Sequence, residues 1–144
     1  MKTQKDWQKK TLDELEGVRT RILQEDSYLL MTITQLRAEK PLCEFDIEDL
    51  RILIGQSIGL KFLIPIAIEE LEKDILVEGD FYEGDLLKAI LTSNTTTYWR
   101  EEKENWTKIC SLFEQNKDKL ESFDTTKSIR DGWFDSYKEF LKIH

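Results

Sequence analysis

Apart from carboxylates, the chain contains few side chains that could do chemistry. Its one histidine, His144, is the last residue, and its two cysteines, Cys43 and Cys110, match neither a CxxC pair nor a Cys/His ligand spacing. A Ser-His or Cys-His catalytic arrangement is therefore close to excluded, and lone thiols most often pack as small hydrophobic side chains. The 29 Asp and Glu residues are too numerous for any one pair to indicate acid–base catalysis. We expect a protein that is not an enzyme and that needs no cofactor.

Two short stretches have residue types that bind ligands in other proteins. "DFYEGD", residues 80–85, supplies carboxylates and a glycine, but it lacks the spacing and the terminal glutamate of an EF-hand calcium loop. "GQSIG", Gly55 to Gly59, lacks the GxxxxGK[ST] pattern and follows a predicted helix rather than a strand. Close helix packing explains its glycines better than phosphate binding does. We therefore predict neither a metal site nor a nucleotide site.

The negative charge of the chain is concentrated in its middle. The formal net charge is -8. Basic and acidic side chains nearly balance in residues 1–40, with eight and seven, and in residues 95–144, with nine and ten, whereas residues 41–94 contain four and twelve. Affinity for nucleic acid comes from Lys and Arg that displace counterions from phosphates, so this distribution argues against direct nucleic-acid binding. An acidic run is typical either of a solvated face that keeps a protein soluble or of a surface complementary to a basic protein.

The most apolar stretch, Leu50 to Glu72, is compatible with a membrane span or with two core helices. Polar Gln56 and Lys61 lie inside it, and Gly55 and Gly59 interrupt it, which favours two packed helices over a bilayer span. No apolar secretory signal precedes it at the N-terminus. We expect no transmembrane segment and a cytoplasmic protein.

Capping signals predict where these two helices begin and end. Asp46 is placed to cap a helix over about residues 47–57, and Gly59 can take the left-handed conformation that stops it. Pro65 is tolerated only near a helix start, where its missing N–H would have had no partner. The second helix should therefore begin between residues 60 and 62 and run to about Lys73.

The rest of the chain also has helical periodicity, and no run of alternating β-branched residues predicts a strand. A capping box begins at Thr11, and Pro41 should end the helix that precedes it. We predict an all-α, single-domain bundle of about six or seven helices over residues 1–144. Besides the central pair, the predicted helices are Thr11–Gly17, about 27–40, Asp85–Thr92, a long helix carrying Trp99 to Leu120, and about 126–142.

The segment Lys40 to Leu91 resembles the signature region of a known family. The matching residues, in order, are Lys40-Pro41-Leu42, Glu48-Asp49-Leu50-Arg51, Gly55-Gln56, Ile58-Gly59-Leu60, Pro65, Glu78-Gly79-Asp80, Tyr82 and Gly84-Asp85-Leu86-Leu87. This ordered series is similar to an all-helical family of bacterial immunity proteins from contact-dependent growth inhibition systems (CdiI). The family-like core covers about residues 27–91, and the helices in residues 95–144 form a variable C-terminal part.

The resemblance implies a cytoplasmic binding protein without catalysis. Such proteins block the C-terminal toxin domain of a large surface-delivered exoprotein (CdiA), and many of these toxins are nucleases with basic active surfaces. An acidic immunity protein could occupy that surface as nucleic acid would, or bind beside it. Many of the shared residues have structural roles, so they are expected to preserve the fold rather than to mark the toxin contact. They include Pro41, Asp46, Gly55, Gly59, Pro65, Gly79 and Gly84.

Exposed acids and nearby aromatics are the candidate toxin contacts. Acids would steer a basic toxin, and aromatic side chains would supply binding energy. Phe81 and Trp99 are expected to pack in the core, as aromatic residues in a helical pattern more often do. Two tyrosines therefore remain as the exposed anchors. The alternative is an acidic helical adaptor or regulator that binds another cytoplasmic protein. The candidate residues are Glu69, Glu70, Asp74, Glu78, Asp80, Tyr82, Glu83 and Tyr98.

Overall fold

The computed structural model describes residues 5–21, 27–93 and 97–144, and these ranges fold as an all-α single domain, as predicted. Within them, six of the nine α-helices have eight or more residues. Two short 3-10 turns, Asp6–Lys9 and Leu42–Glu44, precede α1 and α3. The α-helices are α1 (Leu12–Glu16), α2 (Tyr28–Glu39), α3 (Ile47–Gly55), α4 (Leu60–Lys73), α5 (Asp85–Thr92), α6 (Tyr98–Glu101), α7 (Lys103–Gln115), α8 (Lys117–Ser122) and α9 (Lys127–Leu141).

Side-chain caps fix the starts of four helices where the sequence predicts them. At α9 the Thr126 hydroxyl accepts the Ile129 N–H at 3.2 Å. The Thr11 hydroxyl accepts the Glu14 N–H at 3.2 Å, and the Glu14 carboxylate accepts the Thr11 N–H at 3.1 Å. Asp46 and Asp49 make the same reciprocal pair at α3, with bonds of 2.8 and 3.1 Å. The Ser27 side chain caps α2. Each cap satisfies N–H groups that the helix cannot pair internally and contributes about 1 kcal/mol.

The end of α3 differs from the prediction, because Ser57 rather than Gly59 takes the left-handed conformation that stops the helix. Ser57 has a φ of 57°. Its N–H donates to the Ile54 carbonyl at 2.9 Å, and the Ile58 N–H donates to the Leu53 carbonyl at 2.9 Å. These two bonds form a Schellman motif. Gly59, also left-handed with a φ of 65°, lies just before α4 instead.

The two prolines have different roles. Pro41 follows the extended residue Lys40, and α2 ends at Glu39, as expected for the residue before a proline. Pro65 is the sixth residue of α4, although the helix begins at Leu60 as predicted. Pro65 lies beyond the first turn of α4, where an N–H would have a partner, so the expected reason for its tolerance is wrong. A residue with an N–H at this position would bond to the carbonyl four residues earlier.

Close packing requires a glycine at position 59 but not at position 55. A Cβ on Gly59 would lie 2.6 Å from Cδ2 of Leu12, which is fully buried. A Cβ on Gly55 would lie 3.9 Å from the Ala89 Cβ, which is an ordinary contact. Helix packing therefore explains Gly59, and it does not explain Gly55.

The core lies where α3 packs on α5, α5 on α9, and α4 on both α3 and α7. The apolar stretch from Leu50 to Glu72 is divided between α3 and α4, and within the described ranges no helix is long and apolar enough to cross a bilayer. Stacking of Phe113 on Tyr137, with ring centroids 3.8 Å apart, joins α7 to α9. The largest fully buried side chains are Trp99, Trp133, Phe113, Phe140, Leu12, Leu42, Leu50, Leu53, Ile54, Leu63, Ile64 and Leu71.

The sequence periodicity is less accurate at the ends of the predicted stripes. The predicted long helix is divided into α6, α7 and α8 by breaks at Glu102 and Asn116. Leu29 and Leu141 continue the apolar spacing of α2 and α9, but both are exposed because they lie near helix ends.

His144, the last residue, packs against the domain. Its Nε2 lies 2.8 Å from the Trp99 carbonyl oxygen, and its ring meets the Trp106 ring edge-on with centroids 4.8 Å apart. Cys43 and Cys110 are free and half-buried. Burial raises the pKa of the Cys110 thiol to about 11. A thiol in that state is inert at neutral pH.

Replacing Ser57 by glycine should stabilise the fold. A left-handed backbone costs an L-residue about 1–2 kcal/mol, whereas glycine adopts it freely and loses more chain entropy on folding. We expect Ser57→Gly to raise the free energy of unfolding by about 1 kcal/mol, or the melting temperature by about 3 °C. Ser57→Ala is the matched control, since alanine keeps the strain. Equal melting temperatures for the two variants in thermal circular dichroism would contradict this explanation of the α3 stop.

Candidate functional site

The acidic segment of the sequence forms the connection between α4 and α5, residues 74–84, called the acidic loop below. Glu78 and Glu83 pair in an isolated antiparallel bridge. The Gly84 N–H donates to the Leu76 carbonyl at 3.1 Å and closes the base of the loop. The tip of the loop is the short turn between Glu78 and Glu83.

One buried carboxylate holds most of the tip. Asp85, the first residue of α5, is only 3% exposed. The Gly79 N–H donates to its Oδ1 at 2.7 Å, and the Phe81 and Tyr82 N–H groups donate to its Oδ2 at 3.1 and 3.4 Å. At a helix N-terminus the same negative charge also interacts favourably with the helix dipole. Asp85 therefore stabilises both the start of α5 and the turn that precedes it.

A second carboxylate, from α3, holds the remaining N–H of the tip. Glu48 Oε1 accepts the Asp80 N–H at 2.9 Å, and both Glu48 oxygens accept from Arg51, with two bonds of 2.6 Å. The Arg51 Nε also lies 3.9 Å from Asp85 Oδ2. Hydrogen bonding to Arg51 holds the pKa of the Glu48 carboxyl below its ordinary value, and the bond to Glu48 raises the pKa of Arg51. Both groups therefore remain ionised at neutral pH, and their charges pair across one turn of α3.

Two glycines of the shared motif allow these close approaches. A Cβ on Gly79 would lie 2.5 Å from Glu48 Oε1, so a larger residue would displace the carboxylate. Gly84 has a φ of 85°, and a Cβ there would collide with the Trp133 ring. The Trp133 Nε1–H donates to the Gly84 carbonyl at 3.1 Å. The base of the loop is thus fixed against α9 and its tip against α3.

The Glu48-Asp49-Leu50-Arg51 run holds two different parts of the chain. Asp49 accepts a 2.6 Å bond from the Lys40 ammonium while it caps α3, and Leu50 is buried. Glu48 and Arg51 point to the acidic loop instead. These contacts give the run a structural role in the described part of the chain.

Three of the six predicted acids lie together at the tip of the acidic loop and its two ends. Glu78, Asp80 and Glu83 are exposed, and Glu78 stands opposite Glu83 in the bridge. Residues opposite each other in an antiparallel pair have Cβ atoms about 5 Å apart, and like charges there destabilise the pair. The exposed acids therefore contribute negative charge at some cost to folding.

The other three predicted acids lie at α4 and its C-terminal end. Glu69 and Glu70 are half-buried residues of α4, and a Glu70 oxygen lies 3.3 Å from the Lys73 ammonium. Asp74 is exposed, and its carboxylate lies 3.7 Å from the Lys119 ammonium. At least two of these acids therefore contact a cation of the same chain, which reduces the charge they can offer to a partner.

The exposed aromatic of the loop is Phe81 and not a tyrosine. Phe81 was expected in the core, but it is 68% exposed, because the residue lies in the loop tip and not on a helix. Tyr82 and Tyr98 were predicted as exposed anchors, and both are half-buried; burial raises the pKa of each phenol. The Tyr98 hydroxyl also accepts a 2.8 Å bond from the Asn105 amide. Gly79 in the tip and Gly84 at the base of the loop are the sequence features that could have indicated a loop here, and so an exposed Phe81.

Comparison with known proteins gives one family match. A family model described as CDI immunity proteins matches residues 14–109, two-thirds of the chain. The match extends beyond the resemblance seen in residues 27–91 and includes the last three residues of α1, all of α6 and the first half of α7. Neither a curated protein nor a solved structure matches the chain.

The Glu48 carboxylate should make folding stability depend on pH. Because its pKa in the folded state is below its ordinary value of 4.5, its contribution is complete above that pH and is lost as the pH falls further. We expect Glu48→Gln to lower the free energy of unfolding by about 1–3 kcal/mol at pH 7, and by progressively less below about pH 4.5. Urea denaturation at pH 7, 4.5 and 3 measures the difference, with exposed Glu121→Gln as the control. A difference that stays constant over this range would contradict the assignment.

Proposed function

Because the chain belongs to the family of CDI immunity proteins, we propose that it binds the C-terminal toxin domain of its cognate exoprotein (CdiA) in the cytoplasm and neutralises it through its acidic surface. An immunity protein of this family protects against a CDI toxin, so the partner is a protein. We further propose that the toxin is a nuclease with a basic active surface. Inhibition then requires one-to-one binding and no turnover by the immunity protein.

The exposed acids of the loop are the observation that supports this surface. Glu78 and Glu83 face each other with like charges, an arrangement that does not favour folding. A basic partner would remove that repulsion on binding, so the acids would be more favourable in the complex than in the free protein. Asp80 adds a third exposed carboxylate at the tip. The turn that carries them is held by hydrogen bonds to the carboxylates of Asp85 and Glu48, so little conformational entropy is lost on binding.

Electrostatic attraction would act mainly on association. Clustered charge of one sign raises the rate at which an oppositely charged partner arrives by about 10- to 1,000-fold, and salt reduces the effect. A nuclease surface that binds phosphates would meet carboxylates in their place. Rapid capture suits an inhibitor whose target is an enzyme that damages the cell catalytically, and toxin–immunity pairs of the colicin type are among the tightest complexes known.

Stoichiometric titration tests the proposed function directly. The chain would be co-purified with the C-terminal toxin domain encoded immediately upstream of its gene, and cleavage of DNA and RNA by that domain would be titrated with the purified inhibitor. We expect a one-to-one complex, with activity abolished at one equivalent. A lack of any complex at micromolar concentration and low salt would overturn the proposal. Complete inhibition of a toxin that cleaves neither nucleic acid would retain the immunity role and overturn the nuclease assignment.

Reversing the charge of the loop should slow association without unfolding the protein. Glu78→Lys and Glu83→Lys together keep a like-charged pair in the bridge, so the cost to folding at the bridge changes little. Asp80→Lys completes the reversal, and its added cost is the lost attraction between Asp80 and Arg51. We expect the triple variant to associate with the toxin domain about tenfold or more slowly at low salt, because the local attraction becomes repulsion.

The control for this variant changes the net charge equally at dispersed positions. Glu104→Lys, Asp118→Lys and Asp135→Lys replace exposed residues of α7, α8 and α9. Stopped-flow association rates at several salt concentrations, with circular dichroism to verify folding, separate a local effect from a general one. Rates within about threefold of wild type for the loop variant, or equal losses in both variants, would remove the loop from the binding surface.

A further inference from the structure

Phe81 is a large apolar side chain that the loop tip leaves mostly exposed. It is 68% exposed, so burial in this chain gains little from its apolar area. It lies between exposed Asp80 and half-buried Tyr82, with the like-charged Glu78 and Glu83 on either side of the turn. A large aromatic side chain displayed among acids is unfavourable in water, and it becomes favourable when a partner covers it.

The backbone that carries Phe81 is fixed before any partner arrives. The four successive N–H groups from Gly79 to Tyr82 all donate to the two carboxylates of Glu48 and Asp85. These carboxylates come from α3 and α5, so the turn is tied to two packed helices. A turn held in this way loses little freedom on binding, which leaves more of the contact energy for affinity.

The Phe81 ring is also oriented. The guanidinium carbon of Arg51 lies 4.4 Å from the ring centroid, a cation–π contact that holds one face of the ring. The same guanidinium is fixed by its two bonds to Glu48. One face of the ring is therefore covered by this chain, and the rest is directed outward from the tip.

We infer that Phe81 is the anchor residue of the interface, a side chain that enters an apolar pocket in the basic surface of the toxin domain. This inference rests on the proposed function and goes beyond it, because it assigns slow dissociation to one aromatic side chain and fast association to the surrounding acids. The chemistry of the tip indicates what the partner must present. Phe81 requires an apolar pocket of the size of an aromatic ring, and the acids around it require cationic side chains at the rim of that pocket. Buried aromatic anchors surrounded by polar contacts are the usual energetic centre of tight interfaces.

Another surface competes for this role. An opening of about 440 Å³ lies between α2 and the start of α3, and Tyr28 at its edge is 85% exposed. Its walls are mostly polar and include the Lys40–Asp49 ion pair. Tyr28 is the first residue of α2, and in the part of the chain that the structure describes no turn fixed by hydrogen bonds to carboxylates presents it, as one does for Phe81. Tyr28 thus provides a matched control, as an exposed aromatic residue outside the acidic loop.

The test measures association and dissociation separately with the toxin domain encoded immediately upstream. We expect Phe81→Ala to raise the dissociation rate constant about 30-fold or more, because truncation of an interface anchor has effects of that size, while the association rate constant and its salt dependence stay within about threefold. Phe81→Leu should have an intermediate effect, since it keeps apolar area and loses the ring. Tyr28→Ala should leave both rates unchanged.

The outcomes distinguish this inference from the proposed function. If the wild-type chain neutralises the toxin and Phe81→Ala dissociates within about threefold of the wild-type rate, the inference is wrong and the immunity role stands. If Tyr28→Ala is the variant that dissociates faster, the interface lies at the α2 opening. If the wild-type chain forms no complex, both proposals fail. Thermal unfolding of each variant verifies that a faster dissociation does not come from a loss of folded protein.

Discussion

The acidic loop depends on two carboxylates that bind backbone N–H groups. Glu48 and Asp85 accept the four successive N–H groups of the tip, and Arg51 lies between them. Burying a charged carboxylate is costly unless it is paired and hydrogen-bonded, and here each one is. This arrangement requires α3 and α5 to be adjacent, the chain at Gly79 to approach Glu48 closely, and Gly84 to make room for Trp133. The shape of the loop is thus a consequence of the packing of the helices.

The acidic residues of the central segment therefore fall into two groups, those that stabilise the fold and those that remain exposed. Those directed inward, Glu48, Asp49 and Asp85, bind N–H groups and cations of their own chain. Those exposed at the tip accept no bond of this kind from the residues that the structure describes. Glu78 and Glu83 stand opposite each other in the bridge, and Asp80 interacts with Arg51 only through its charge. The net charge of -8 therefore does not measure the charge available to a partner. Only the arrangement of hydrogen bonds separates the two groups of acids.

The division between a fixed frame and an exposed tip suits an immunity protein. A frame made of caps, glycines and paired charges can be retained while exposed side chains are replaced, because the frame bonds to main-chain N–H groups and not to the side chains that the tip displays. Phe81, which is not among the residues that match the signature, could then change with the toxin without altering the fold.

The sequence by itself determined the features that depend on near neighbours. The helical class, the caps at Thr11 and Asp46 and the bounds of α5 were predicted, because each depends on residues three or four positions apart. The start of α4 was also predicted, but from an interpretation of Pro65 that the structure contradicts. Only the tertiary structure decided which side chains the loop exposes. The Glu48 bond to Asp80 spans 32 positions and Trp133 reaches Gly84 across 49, and such contacts leave no periodic signal in the sequence. Phe81 was therefore expected in the core, and Tyr82 and Tyr98 at the surface, since residue type indicates a preference for burial and only packing determines it.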